Sequence, residues 1–250
     1  MKFKMQNTPF DLQGKTFLVT GASSGLGQQI CIRISEMNGT VILTARSIKR
    51  LNETLSKMAK GDHKILPADL TKSEDINSLV AELPKLNGVV FSTGLSIIAP
   101  AGFISEEDYS KTFKTNFEGS MMLSNAIIRK KRIVKDSCSM VFISSISTQY
   151  PFVGGALYVS AKAAMEGYAR ILALELAPKG VRVNCVSPAF VRTQMLDQTA
   201  NNFSDEVVQK IEGRQLMGLG EPDDVAYPVI FFLSDAAKWI SGTNLILGGG

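Results

Sequence analysis

The chain has 250 residues, 45% hydrophobic and 20% charged, a balance that excludes disordered, collagen-like and fibrous proteins and suffices for a sizeable core. Three well-separated cysteines, Cys31, Cys138 and Cys185, with no CxxC pair, argue against a disulfide framework or a zinc site and for a reducing compartment. The formal charge is a mild +4, no apolar run reaches about 18 residues, and no apolar stretch follows the lysines of residues 1–10, so the expectation is a cytoplasmic protein with neither membrane nor nucleic-acid partners.

Short, β-branched apolar runs at 16–20, 41–44, 64–67, 89–92, 140–144, 182–186 and 244–247 read as seven strands. Most lack in–out alternation, which predicts burial on both faces. The first run leads into Gly21-Ala22-Ser23-Ser24-Gly25-Leu26-Gly27 and a helix marked by Leu26, Ile30 and Ile34. Helical spacing returns at Ile48, Leu51, Leu55 and Met58, at Ile76, Leu79, Val80 and Leu83, and over 121–133 and 161–176. His63, the sole histidine, has no nucleophile to activate and reads as a surface residue. Glu106, Glu107 and Asp108 read as first-turn acids of a helix capped by Ser105. The basic cluster Arg129, Lys130, Lys131, Arg132 and Lys135 lacks interleaved aromatic residues and reads as a solvated helix end. A polar stretch from Ala189 to about Gly220 reads as a substrate lid.

Alternating strands and helices predict an α/β fold: a doubly wound, seven-stranded parallel sheet with helices on both faces. No linker, repeat or low-complexity tract divides it, so one domain over 10–250 is expected.

Glycines at 21, 25 and 27, between the first strand and first helix, permit a tight turn and close backbone approach to a pyrophosphate at the helix N-terminus. Such a turn alone leaves a purely structural role open. After the second strand stands Arg46, where an NAD-binding chain carries a carboxylate; its planar guanidinium suits a 2′-phosphate and favours NADP (NADPH) over NAD. Tyr158 and Lys162, four residues apart, share a helix face, and a nearby cation is expected to lower the phenol's pKa toward the working pH. Ser145 follows the fifth strand, at the same carboxyl edge as the glycine turn.

The glycine turn, Asp69-Leu70, Asn116-Phe117-Glu118-Gly119, Ser144-Ser145, Tyr158-xxx-Lys162 and Ser187-Pro188-Ala189, in that order, resemble the classical short-chain dehydrogenase/reductase family, over nearly the whole chain. The resemblance implies a single-domain Rossmann fold and hydride transfer between nicotinamide C4 and a carbonyl or alcohol carbon. It implies Tyr158 as acid or base, Lys162 as its modulator and ribose ligand, Ser145 as orienter of the substrate oxygen, and Asn116 as support for a water relay. Toward the cofactor it implies Gly21, Ser23, Ser24, Gly25, Leu26, Gly27, Arg46, Asp69, Leu70, Ser92, Gly94, Pro188 and Thr193, besides Tyr158 and Lys162. A homotetramer or homodimer through the helices at 121–133 and 161–176 is implied as well.

Two departures stand out: Phe91-Ser92-Thr93-Gly94 replaces the family's Asn-Asn-Ala-Gly, and Pro188-Ala189 replaces Pro-Gly. Apolar candidates for the substrate pocket are Ile97, Val153, Leu157, Phe190 and Met195. The reading is an NADP-dependent carbonyl reductase, with a 3-oxoacyl thioester as leading substrate by analogy. The alternative is a dinucleotide-sensing or scaffolding relative without turnover. No metal site is expected.

Overall fold

A computed structural model describes residues 8–196, 213 and 215–249. Its strands are β1 (Thr16–Thr20), β2 (Thr40–Thr44), β3 (Lys64–Ile65), β4 (Gly88–Phe91), β5 (Cys138–Ile143), β6 (Val181–Pro188) and β7 (Asn244–Leu247). They form one sheet in the order β3-β2-β1-β4-β5-β6-β7, and every pairing is parallel. The doubly wound, Rossmann-like architecture expected from the alternation is therefore present. The order reverses between β1 and β4, which opens a crevice at the strands' carboxyl ends, where sheets of this kind bind ligands.

The helices are α1 (Gly25–Glu36), α2 (Ile48–Leu55), α3 (Ser73–Glu82), α4 (Glu106–Phe113), α5 (Gly119–Arg129), α6 (Ala156–Leu176) and α7 (Pro222–Leu233). Alternate strand residues serve opposite faces. Leu18, Val89, Met140 and Val183 pack with Leu79, Leu123 and Leu172 of α3, α5 and α6. Phe17, Val19, Val90 and Val141 pack with Ile30, Leu51 and Val229 of α1, α2 and α7 on the other side. Burial on both faces explains why these strands read as continuous apolar runs. Phe91 and Phe142, register partners on β4 and β5, stack with ring centroids 4.3 Å apart.

Local chemistry sets several element ends differently from the sequence expectation. β3 is cut to two residues because Pro67 has no N–H; Leu66 and Ala68 on either side still donate to the carbonyls of Leu43 and Ala45. α6 begins at Ala156, two residues before Tyr158, which stands in its first turn as the shared face with Lys162 implied. Between α4 and α5 the helix widens into a π-turn at Lys114–Glu118, a feature that apolar spacing does not signal. Ser105 caps α4 in a reciprocal box with Asp108, as its position suggested. α5 ends at Arg129, with Lys130 as its C-cap, so the basic cluster stands at a helix C-terminus.

His63 does more than sit at the surface. Its Nδ1 accepts the Val41 N–H at 3.1 Å while Nε2 lies 2.9 Å from the Ala59 carbonyl, tying the start of β2 to the loop after α2. Among the described residues no helix is long and apolar enough to cross a membrane.

Candidate active site

A cavity of about 610 Å³ occupies the crevice. Every residue that the resemblance assigns to the cofactor borders it, from Gly21 to Gly27 through Arg46, Asp69, Leu70, Ser92 and Gly94 to Tyr158, Lys162, Pro188 and Thr193.

The turn after β1 tolerates no side chain at two points. Gly21 has φ +65°, and a Cβ there would stand 2.9 Å from the Ser92 carbonyl oxygen. A Cβ on Gly27 would run into the Gly21 carbonyl. The Ala22 N–H donates to the Thr44 carbonyl, and the Thr54 hydroxyl donates to the Ala22 carbonyl at 2.8 Å, so β2 and α2 hold the turn. Ser24, the N-cap of α1, makes no side-chain capping bond. Thr44, 1% exposed, borders the cavity with a hydroxyl that has no partner among the described residues. A cradle closed to any Cβ, an uncapped helix start and a buried, unpaired hydroxyl fit a dinucleotide.

The backbone of the departing stretch at 91–94 is held from β1. Thr20, fully buried at the end of β1, accepts the N–H groups of Ser92 at 3.0 Å and Thr93 at 3.3 Å. Thr20 opens the glycine-turn motif, but sequence does not show which backbone groups its hydroxyl meets.

At the end of the cavity beside β2 and β3, Arg46 is exposed after β2. Desolvation pushes the Asp69 carboxyl up, but the N–H and hydroxyl of Thr71 and the charges of Arg46 and Lys72 outweigh it and hold it below its ordinary value. Arg50, one turn into α2, also borders the cavity and donates to the Gln194 side chain at 3.0 Å.

At the other end Lys162, 4% exposed, donates from Nζ to the Ile143 carbonyl at 2.7 Å and stands 5.8 Å from the centre of the Tyr158 ring. Burial pulls its pKa down to about 8, with Cys185 and Glu166 opposing the shift. Burial pushes the Tyr158 phenol above its ordinary value, and a hydrogen bond with Ser145 offsets this only in part. The net shift thus runs opposite to the expected lowering, with desolvation dominant and Ser145 as the opposing partner. Ser145 accepts both the N–H (3.2 Å) and the hydroxyl (2.9 Å) of Ser147. Asn116, fully buried in the π-turn, is tied to Leu95 by two 2.8 Å bonds, one to the N–H and one to the carbonyl. A Cβ on Gly94 would lie 3.5 Å from the Asn116 Oδ1 and 3.6 Å from the Lys162 Nζ, so these groups converge.

Of the apolar pocket candidates, Phe190 and Met195 border the cavity. Ile97 and Leu157 do not; Leu157 is a buried residue of the first turn of α6. Val153 is 92% exposed, in the loop before α6, and also lies outside the lining. Alternating apolar residues in a loop do not reveal which way each one turns. Phe152 and Leu95, not singled out from sequence, do border the cavity. Most of the expected lid, residues 197–212 and 214, lies outside the described residues.

A family model described as enoyl-(acyl carrier protein) reductase matches residues 21–250. The chain is 32% identical over 240 residues to the 3-oxoacyl-[acyl-carrier-protein] reductase FabG of Rickettsia conorii, covering 96% of this chain and 98% of that one. This chain belongs to the short-chain dehydrogenase/reductase family. It is also 30% identical to the NAD-dependent glycerol dehydrogenase of Listeria innocua, covering 100% of this chain and 98% of that one. The crystal structure of a singly substituted actinorhodin polyketide ketoreductase with NADPH superposes with a TM-score of 0.88 at 25% identity, covering 97% of this chain and 98% of that one. The protein is thus an oxidoreductase acting on CH–OH or carbonyl groups with a nicotinamide cofactor.

Proposed function

We propose that this dehydrogenase/reductase is an NADPH-dependent carbonyl reductase whose leading substrate class is a 3-oxoacyl thioester. The observation that carries the reading is the convergence of Tyr158, Lys162 and Ser145 on the same edge of the cavity as the glycine turn. Nicotinamide, when bound, supplies or accepts the hydride at C4. Tyr158, held protonated near neutral pH by burial, gives its proton to the carbonyl oxygen in reduction and takes it back in oxidation. Ser145 accepts two bonds from Ser147 and gives its own proton to the Tyr158 oxygen, from which it turns to orient and polarise the substrate oxygen. Lys162, fixed by the Ile143 carbonyl, presents its ammonium to the nicotinamide ribose and to Tyr158. Asn116, clamped by Leu95, supports a water through which Tyr158 is reprotonated.

Arg46 favours NADPH through a charge-assisted pair with the 2′-phosphate, in line with the NADPH of the ketoreductase relative. The thioester preference rests on the Rickettsia relative, and Phe190 and Met195 supply apolar surface for an acyl chain. Met122 on α5, with Ile171 and Leu174 on α6, exposes apolar surface that supports a homodimer or homotetramer of a single-domain cytoplasmic enzyme.

The test is NADPH oxidation with a panel containing a 3-oxoacyl thioester, a ketose and simple ketones, with NAD-coupled glycerol oxidation alongside. The thioester should turn over fastest. Tight NADPH binding with no turnover across the panel would overturn the reductase reading in favour of a sensing or scaffolding role, and faster glycerol oxidation would overturn the substrate assignment.

A further inference from the structure

α6 carries a third ionisable group on the face that bears Tyr158 and Lys162. Glu166 lies a further four residues along and is 8% exposed. A carboxylate buried to that degree is costly unless its oxygens receive hydrogen bonds, and here one oxygen receives them from two strand ends. Oε1 accepts the Ser144 hydroxyl at 2.6 Å and the Thr148 hydroxyl at 2.9 Å. The Ser187 hydroxyl on β6 stands 3.3 Å away and is the weaker contact, because it also lies 2.7 Å from the Asn244 Oδ1.

These partners bracket one residue. Ser144 immediately precedes Ser145, and the Thr148 hydroxyl shares its proton between Glu166 and the Ser145 carbonyl, 3.1 Å away. The Ser144 N–H is fixed independently by the Val186 carbonyl at 2.7 Å. Ser187 in turn precedes Pro188 in the cavity wall. Glu166 itself does not border the cavity.

We infer that Glu166 is a positioning residue: its buried carboxylate clamps Ser144 and Thr148 so that the Ser145 hydroxyl faces the substrate oxygen. A charged acceptor makes bonds roughly twice as strong as a neutral one, which is the reason for a carboxylate here rather than an amide. The inference rests on the reductase reading for its catalytic consequence, but the placement of Ser145 can be measured without it.

The experiment compares Glu166→Ala, Glu166→Gln and Ser144→Ala with the parent enzyme. Measurements are kcat, KM, NADPH affinity by fluorescence titration, and crystal structures. Glu166→Ala should lower kcat by about 100-fold while KM and the NADPH Kd change less than about threefold. Glu166→Gln keeps an acceptor and should restore kcat to within about tenfold of the parent, a rescue that simple space-filling does not predict. Ser144→Ala should add little further loss to Glu166→Ala if the two act through one link.

A kcat for Glu166→Ala within about threefold of the parent, or kcat and NADPH affinity collapsing together, would overturn the inference. If Glu166→Ala does not fold, Glu166→Leu, which fills the space but offers no acceptor, is judged by the same split, and an unchanged kcat there overturns the proposal. If the parent turns over no carbonyl at all, the reductase reading fails separately. The structures then decide: Ser145 Oγ should move by more than about 0.5 Å in Glu166→Ala or Glu166→Leu and stay in place in Glu166→Gln, and a hydroxyl unmoved by loss of the acceptor refutes the clamp.

Discussion

Replacing Thr20 by Val tests whether one hydroxyl holds the backbone at 92–93 in place. The substitution keeps the branched shape, so the fully buried site at the end of β1 is not opened into a cavity. What disappears is the acceptor for the Ser92 N–H at 3.0 Å and the Thr93 N–H at 3.3 Å. A donor left without a partner costs about 1–3 kcal/mol, toward the lower end here because both residues are only partly buried and the second bond is long. The sum is about 2 kcal/mol, which for a chain of this size lowers Tm by roughly 4–8 °C. Thr20→Ser, which retains the oxygen, should lose less than half of that. The same loop carries Ser92 and Gly94 into the cavity, so NADPH affinity should fall in Thr20→Val and recover in Thr20→Ser. Thermal unfolding by circular dichroism and a fluorescence titration read both effects. A Thr20→Val protein that melts within about 1 °C of the parent and binds NADPH equally well would refute the reasoning.

Tyr158→Phe should reduce turnover by about 100-fold or more and leave cofactor affinity nearly intact; unchanged steady-state rates exclude Tyr158 as the acid. Arg46→Ala should weaken NADPH by roughly tenfold or more and NADH far less, and equal losses in parallel titrations count against a 2′-phosphate contact. Burial pulls the Lys162 ammonium down to about 8, so the charged form prevails below that pH and is lost above it. The reductive kcat/KM of the free enzyme should hold at lower pH and decline above about 8, and a profile level to about pH 10 would contradict a role for that charge. Sedimentation should find a dimer or tetramer at micromolar concentration, whereas a monomer argues against the apolar faces of α5 and α6 as interfaces.

The sheet was legible because its strands are buried on both faces and so appear as uninterrupted apolar runs, as at Val89 and Val90 or Met140 and Val141. The cofactor edge was legible because glycine at 21 and 27 answers a backbone need that no other residue meets. The four-residue spacing of Tyr158 and Lys162 survives any error in helix boundary, and α6 does begin two residues before Tyr158, where the helix was expected to open. Three-dimensional pairings left no such trace. Thr20 reaches residues more than seventy positions away, and the Arg50–Gln194 bond joins α2 to the segment after β6. The environment of Tyr158 left no trace for a similar reason, since spacing shows the neighbouring cation but not the desolvation that raises the phenol. Pocket residues were the least legible, because Val153 and Phe152 are neighbours in one loop and only Phe152 turns to the cavity.

A crystal structure with NADPH and an unreactive ketone analogue examines the central claim most directly. The account predicts the ketone oxygen within about 2.6–3.2 Å of both the Tyr158 and Ser145 hydroxyls, with nicotinamide C4 facing the carbonyl carbon. A ketone bound away from both hydroxyls, or a dinucleotide lying outside the cleft formed by the glycine turn, would contradict it.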